Sequence, residues 1–504
     1  MTKRLDLETF RQFLLHGLPI IALISIPLHA LAAEKRPNVL FIICDDLNNH
    51  VGPSNYSPIQ TPSLEKLATE GMSFRRAYCQ YPVCGPSRAS LLSGLYPEST
   101  QILDNKSDIR DTLPERLSLP QEFKENGYWT ASVGKVFHSP KTQVGTPAWH
   151  QQVRFKNDEL PRITIAREAF ESQYGSITQR SNRKRWKSEL SNLSTQTRGQ
   201  TPPGFGPTEL KDHQHKDGKN VRQVIKWIEE KPFKEKPFFI VCGIQKPHVP
   251  FLAPQKYFDL YPKEHLPPET TPRDDWRDIP ALALVKRYTA FGFQAESSDD
   301  ALRRDYMQAY HACISFVDAQ IGLVLNHLRK SDYWEETIVV VTSDHGYHLG
   351  EHFLWGKVSL FEECARTPLI IRVPGITPPA STSESLVEHV DLYPTLLELC
   401  GLQARQRLQG SSFTPILSNP DHEGKESAYT VVSRGKKLGR SIRTMRWRYA
   451  EWGSPETAEL YDLENDPKEY HNLINSAETR AVKAHLHQLL IKKTNQASTL
   501  NQSL

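Results

Sequence analysis

Asn38-Val-Leu-Phe-Ile-Ile-Cys44 is a continuous apolar run that stops abruptly at Asp45-Asp46. The pattern returns in Phe238-Phe-Ile-Val-Cys-Gly243 before Lys246-Pro-His248, in Thr337-Ile-Val-Val-Val-Thr-Ser343 before Asp344-His345, and in Pro368-Leu-Ile-Ile-Arg-Val373. Strands that lack polar alternation are buried on both faces, as in a mainly parallel sheet covered by helices. Helical patterns fill the intervals, at Asn220 to Glu230, Arg303 to Arg329 and Val390 to Cys400. The alternation predicts an α/β sandwich with a large, mainly parallel sheet between helices. Ligands of such sheets gather beyond the carboxyl ends of the strands, and three strand ends here carry charged or histidine clusters.

Away from these runs the chain changes character twice. Residues 145–219 are polar and include Arg180-Ser-Asn-Arg-Lys-Arg-Trp-Lys187, which predicts a long excursion from the sheet that borders the site. Within it, Arg183-Lys184-Arg185 with Trp186 reads as a solvated loop, with an anionic polysaccharide as the alternative partner. After about Leu417 the long apolar runs cease, and short strands at Tyr429 to Ser433, Ser441 to Trp452 and Glu459 to Leu463 precede a helix. They predict a smaller C-terminal α+β subdomain with an antiparallel sheet. The expected division is 34–420 for a catalytic domain and 421–504 for the subdomain, and at about 100–200 residues per domain a chain of this length allows more than one.

Apolar residues make up 38% and charged residues 24% of the 504, enough for a sizeable core and against disorder of the whole chain. The 62 basic and 58 acidic residues nearly cancel, so no nucleic-acid partner is expected. Lys3, Arg4 and Arg11 precede an apolar stretch from Leu18 to Ala33 that ends in the small-residue site Ala30-Leu31-Ala32. This predicts a signal peptide over residues 1–33 and an exported protein, periplasmic or extracellular, or in a lysosome-like compartment of a eukaryote. The alternative is an uncleaved anchor, but Pro19, Pro27 and His29 interrupt the run and disfavour a stable membrane span. The seven cysteines show no disulfide framework. Cys44, Cys242 and Cys400 lie in apolar runs as buried thiols, whereas Cys84 sits in a polar, Gly/Pro-flanked segment.

That segment is Cys84-Gly-Pro-Ser-Arg-Ala-Ser-Leu-Leu-Ser-Gly94. Pro86 suits the first turn of a helix running through Leu92, which places Cys84 at the positive end of the helix dipole, where an anion is favoured. Local physics also allows a helix-capping loop with an incidental cysteine. Asp45, Asp46 and the distant Asp344 offer hard oxygen ligands of the kind Ca²⁺ or Mg²⁺ prefers. An Asp-Asp pair alone reads as a turn or cap, but three carboxylates at two buried strand ends point to a metal.

The motif from Cys84 to Gly94 resembles the signature of the type I sulfatases, in which the cysteine is oxidised after translation to formylglycine (3-oxoalanine). The family's other polar elements occur in order, as Asp45-Asp46, Gly134-Lys135-Val-Phe-His138, Lys246-Pro-His248, Ser343-Asp344-His345-Gly346 and Lys357. The likeness spans about residues 37–400 and continues in Glu459-Leu-Tyr-Asp-Leu-Glu-Asn-Asp-Pro467. Within the family it is greatest to the iduronate-2-sulfatase subgroup, through Cys-Asp-Asp-Leu-Asn48, Lys-Pro-His-Val-Pro-Phe251 and Asp-His-Gly-Tyr-His-Leu-Gly-Glu-His352. Many sulfatases have Asn where His345 stands, which itself favours that subgroup.

The resemblance implies an alkaline-phosphatase-like fold and hydrolysis of an O-sulfate ester of a carbohydrate, exo-acting on sulfated glycans. Its metal, Ca²⁺ ahead of Mg²⁺, would be held by Asp45, Asp46, Asp344, His345 and the residue derived from Cys84. Lys135, Lys246 and Lys357 would clamp the sulfate, and Arg88 would reach back to the hydrated aldehyde or to the oxygen on the metal. One hydroxyl of that diol attacks sulfur, His248 protonates the leaving alcohol, and His138 takes a proton from the second hydroxyl so that sulfate leaves. A formylglycine-generating maturation enzyme is then an obligatory partner. His348 and His352 stand near the site as substrate contacts or bystanders. Two rivals remain at this stage: a phosphonate or phosphate monoester hydrolase of the same superfamily, and a non-catalytic carbohydrate-binding protein with unmodified Cys84.

Overall fold

The apolar runs form strands in the computed structural model, which describes residues 36–138, 147–156, 161–196, 204–266, 270–284 and 300–499. The segment read as a signal peptide, 1–33, lies outside the described residues. The main sheet comprises β1 (Asn38–Asp45), β2 (Met72–Tyr78), β3 (Trp129–Gly134), β4 (Gln151–Val153), β5 (Phe238–Pro247), β6 (Thr337–Ser343), β7 (Arg366–Arg372) and β8 (Ser381–Glu388). Their order is β8-β2-β7-β6-β1-β5-β3-β4. Only β7 runs antiparallel to its neighbours, β6 and β2, and every other pairing in this sheet is parallel.

β1 lies between β5 and β6 and every one of its residues is buried. Its side chains alternate between two cores. Leu40, Ile42 and Cys44 join one with residues of the helices Lys216–Glu230 and Asp300–Arg329. Val39, Phe41 and Ile43 join the other with Leu91 and Leu92 of the helix Cys84–Ser93 and with Leu392, Tyr393 and Leu396 of the helix Leu392–Leu399. Each fully buried aliphatic side chain contributes about 1.5–3 kcal/mol, so a charge within this run would cost far more than one at its end. The sheet is thus covered on both faces, as the continuous apolar runs require.

The excursion is more ordered than the composition indicates. Gln151–Val153 extends the sheet edge, pairing in parallel with β3. Pro161–Tyr174 and Arg180–Gln196 are helices that form a hairpin, so the basic run is helical and not a loop. Four C-terminal strands, β9 (Ala428–Arg434), β10 (Lys437–Arg443), β11 (Trp447–Trp452) and β12 (Ala458–Asp462), make an antiparallel sheet. The stretch Ser441 to Trp452, read as one strand, is the end of β10, a turn and β11, closed by Thr444 N–H donating to the Trp447 carbonyl (2.8 Å). Val431, Tyr449 and Leu460 of this sheet share a core with Tyr81, Val83, Leu360 and Phe361. The smaller sheet therefore supports the segments that flank Cys84 and Lys357. No helix among the described residues is long and apolar enough to cross a membrane.

Candidate active site

The parallel strands β1, β3, β5 and β6 end on one edge of the sheet, and the polar residues that terminate them converge there. Asp46 turns the chain out of β1 with φ 68, a left-handed conformation that Asp tolerates better than most residues. Its N–H donates to Asp344 Oδ1 (3.1 Å), and Leu47 N–H donates to Ser343 Oγ (2.9 Å), which ties the ends of β1 and β6 together. Gly134 has φ 77, and a side chain there would collide with the Gly243 carbonyl, because a Cβ would lie 2.0 Å from that oxygen. Glycine at this point lets β3 and β5 close up directly beneath Lys135.

Cys84 is the first residue of the helix Cys84–Ser93, as the Pro86 reading predicts, and Gly94 ends that helix with φ 66. Cys84 Sγ lies 3.1 Å from Lys357 Nζ, 3.4 Å from His345 Nε2 and 3.9 Å from Asp46 Oδ1. Burial and the Asp45 carboxylate push its thiol up, but Lys135 and Lys357 outweigh them and bring it down to about 7. Arg88, one turn on, is fully buried and donates Nε to Asp344 Oδ2 (2.7 Å), Nη1 to the Val136 carbonyl (3.1 Å) and Nη2 to the Cys44 carbonyl (3.3 Å). It reaches the carboxylates and the backbone that carries Lys135.

The lysines divide by partner. Lys135 Nζ donates to Asp45 Oδ2 and Lys357 Nζ to Asp46 Oδ1, each at 2.5 Å. Burial resists both carboxylates' charges, yet Lys135, His248 and Arg88 hold Asp45 well below the usual range, and Lys357 and His248 lower Asp46. Lys246 is buried and donates Nζ to the Pro250 carbonyl (2.6 Å). Its backbone N–H and that of Gln245 are both held by the Asp217 carboxylate (2.8 Å each).

The two candidate proton carriers are pushed in opposite directions. Burial and then Lys135 press His138 down to about 4. Burial also works against charge on His248, but Asp46 and Asp45 prevail and raise it. His248 Nδ1 lies 2.7 Å from the Val249 carbonyl, which can only accept, so Nδ1 carries a proton and Nε2 is the exchanging atom. His345 shows the same arrangement, with Nδ1 donating to the Gly346 carbonyl (2.9 Å) and Nε2 3.3 Å from Asp46 Oδ1. Such an outer hydrogen bond fixes an imidazole for metal ligation.

Asp45, Cys84, Asp344 and His345, and likewise Asp45, Asp46, Cys84 and His248, place ligand atoms within 4.8 Å of one another. Asp45 Oδ1 and Asp46 Oδ2 are buried without a hydrogen-bond donor. Two orphaned carboxylate oxygens beside a third carboxylate and an oriented imidazole fit a divalent cation.

His348 and His352 find internal partners. His348 Nε2 lies 2.7 Å from Ser359 Oγ, and His352 Nδ1 lies 3.0 Å from Asp275 Oδ2 with its ring stacked on Phe361 at 3.9 Å. Both are buried and hold the loop that carries Lys357. Asp217 and Tyr310, whose hydroxyl donates to the Asp46 carbonyl (2.6 Å), were not among the expected residues. Asp217 reads locally as a first-turn helix acid and Tyr310 as core, so neither carries a distinguishing sequence signal.

The family model described as Sulfatase matches residues 37–402, and one described as N-sulphoglucosamine sulphohydrolase, C-terminal, matches 350–496. A sulfatase of Formosa agariphila is 33% identical over 91% of this chain and 87% of its own length. Iduronate 2-sulfatase of Mus musculus is 29% identical over 89% of this chain and 92% of its own. Among solved structures, the phosphonate monoester hydrolase of Agrobacterium radiobacter superposes with a TM-score of 0.74 at 21% identity, over 92% of this chain and 96% of that one. At that identity the likeness is one of fold.

Proposed function

This chain belongs to the sulfatase family and is a sulfuric ester hydrolase, and on that premise we propose that it removes O-sulfate from sulfated carbohydrates through a formylglycine made from Cys84. One observation carries the reading: Cys84 sits at a helix N-terminus with Lys357 Nζ and His345 Nε2 within 3.4 Å of its sulfur. That is where a nucleophile meeting an anionic ester needs positive charge. Formylglycine would supply a hydrated aldehyde as nucleophile, and Ca²⁺ on Asp45, Asp46, Asp344 and His345 would supply Lewis acidity.

The chain's own residues then have distinct tasks. Lys135, Lys246 and Lys357 neutralise the sulfate, and Arg88 holds Asp344 and the Cys44 and Val136 carbonyls in place. His248, raised by Asp46 and Asp45, keeps a proton at Nε2 for the leaving sugar oxygen. His138, held neutral by burial and Lys135, accepts one. Opposed shifts of this kind separate an acid from a base. The iduronate 2-sulfatase relative supports a sulfated-uronate or similar sugar, attacked at a chain end. Export through residues 1–33 and modification by a formylglycine-generating enzyme complete the proposal.

The phosphonate monoester hydrolase fold neighbour supports the second reading, since the same constellation can face a phosphoryl group. Rates on aryl sulfate and aryl phosphate separate them, and a strong phosphate preference would refute carbohydrate desulfation. Mass spectrometry of the Cys84 peptide from the native host should show the aldehyde. A thiol alone would remove the proposed nucleophile.

A further inference from the structure

The helix Arg180–Gln196 carries cations that the catalytic reading does not use. With about 3.6 residues per turn, Arg180, Arg183, Lys184 and Lys187 fall at i, i+3, i+4 and i+7, within about 100° of one helix face. All four are exposed. The side of the helix that adjoins Arg183 packs inward, where Trp186 meets Phe170 of the helix Pro161–Tyr174 edge-on at 5.4 Å. Asn182 is buried and donates Nδ2 to the carbonyls of Tyr174 (2.8 Å) and Ser176 (3.1 Å), which locks the hairpin turn.

The stripe is uncompensated. None of the salt bridges among the described residues takes in Arg180, Arg183, Lys184 or Lys187. The acid of the same helix that could interleave, Glu189, lies on the far side of the helix from the stripe. Like charges at i,i+3 and i,i+4 destabilise a helix, and this stripe carries no acid of its own to offset them. Arg183 is steadied by Nε donating to the Thr178 carbonyl (3.2 Å), so part of the stripe is held in position.

We infer that this face is a docking surface for the sulfated polysaccharide itself, separate from the residues that cleave it. The occupant's chemistry rests on the carbohydrate-sulfatase reading, because a polymer bearing sulfate along its length supplies the anions that the stripe lacks. Four cations about 10 Å apart end to end bind a polyanion by releasing its condensed counterions, with a strong dependence on salt. The surface would retain a long substrate between cleavages at its end and would be silent toward a small sulfate ester.

The test uses the full chain and a quadruple variant, Arg180→Gln, Arg183→Gln, Lys184→Gln and Lys187→Gln. Both are titrated with dextran sulfate, neutral dextran, duplex DNA and phosphatidylserine vesicles over a range of salt. The expected result is tight wild-type binding to dextran sulfate alone, at least tenfold weaker binding by the variant, and a log–log salt slope shallower by about 3. Hydrolysis of an aryl sulfate should be unchanged between the two proteins. Equal binding of dextran sulfate by both would overturn the inference, as would tighter wild-type binding to DNA or to vesicles. The double variant Lys184→Glu, Lys187→Glu gives a second reading should the quadruple one misfold. Absence of aryl sulfate hydrolysis with a charge-dependent polymer loss would sink the catalytic reading and leave the docking surface standing.

Discussion

Arg88→Met is expected to destabilise the metal-free protein by about 3–5 kcal/mol, the cost of orphaning one member of a buried ion pair. Arg88 and Asp344 are both inaccessible, and Arg88 Nε is the hydrogen-bond donor to Asp344 Oδ2 at 2.7 Å. Asp344 Oδ1 keeps the N–H groups of Asp46 and His345, so the ionic loss falls on Oδ2, and the Val136 and Cys44 carbonyls lose Arg88 as a donor as well. Methionine fills much of the same volume, which keeps the cavity cost small beside the electrostatic one. Unfolding entropy of about 2.1 cal/mol/K per residue over the unit Pro37–Leu504 comes to about 1 kcal/mol/K, so the midpoint should fall by about 3–5 °C. Calorimetry in excess chelator measures it. If the penalty is an uncompensated charge, Arg88→Met combined with Asp344→Asn should lose less than the sum of the single losses, by about 1–3 kcal/mol. Single-variant effects that add to within about 0.5 kcal/mol would refute the electrostatic account and leave packing as the cause. Excess calcium should restore part of the Arg88→Met loss and little of the double variant's.

Cys84→Ala should abolish turnover while the unfolding midpoint stays near wild type, and Cys84→Ser should retain sulfate detectable by mass spectrometry, for lack of a second hydroxyl. Asp45→Asn should weaken divalent-cation binding by at least about tenfold, the loss that even an outer partner of a metal ligand produces, as read by elemental analysis after dialysis. A stoichiometric transition metal in active wild type would contradict the calcium assignment. The pH dependence of stability should carry a mark of His50, whose imidazole is pressed down to about 4 by burial, partly offset by Glu351. A depressed histidine is neutral in the fold, so its contribution is fully present above about 6.5 and is lost as pH falls toward 4. His50→Gln should therefore flatten the stability profile in that window by about 1.4 kcal/mol per pH unit. An unchanged slope would mean that His50 titrates normally in the fold.

Much of the fold is legible because the sheet is buried on both faces. Thr337–Ser343 coincides with its apolar run, and β5 covers its run and continues to Pro247. The antiparallel direction of β7 is invisible locally, since a buried strand reads alike in either sense. The turn at 444–446 is hidden for another reason: no glycine or proline marks it, and Thr444 makes it through its own hydrogen bonds with Trp447. The helical state of 180–187 is obscured by its charge, which lowers hydropathy to that of a loop, although Arg and Lys are good helix formers.

The candidate site is legible to the extent that a residue's chemistry is used at its own position. Asp45, Asp46 and Asp344 end strands, and Cys84 begins a helix, so strand ends and a helix start suffice to bring them to one edge. Lys357 is different, because nothing near it in sequence aims its ammonium at Asp46 and Cys84. Its loop passes through left-handed conformations at His352 (φ 55), Phe353 (φ 54) and Val358 (φ 74), the last costly for a β-branched side chain. Such a path persists only if surrounding contacts over-determine it. They come from far away: Asp275 on His352, the Trp276 indole N–H on the His352 carbonyl (2.6 Å), and Arg434 Nη2 on the Val358 carbonyl (2.6 Å). The C-terminal sheet, through Arg434 of β9, thus bears on where Lys357 points, although among the described residues it contributes none to the candidate site. That dependence gives a physical reason for the smaller sheet to pack against the loops at 81–83 and 358–361.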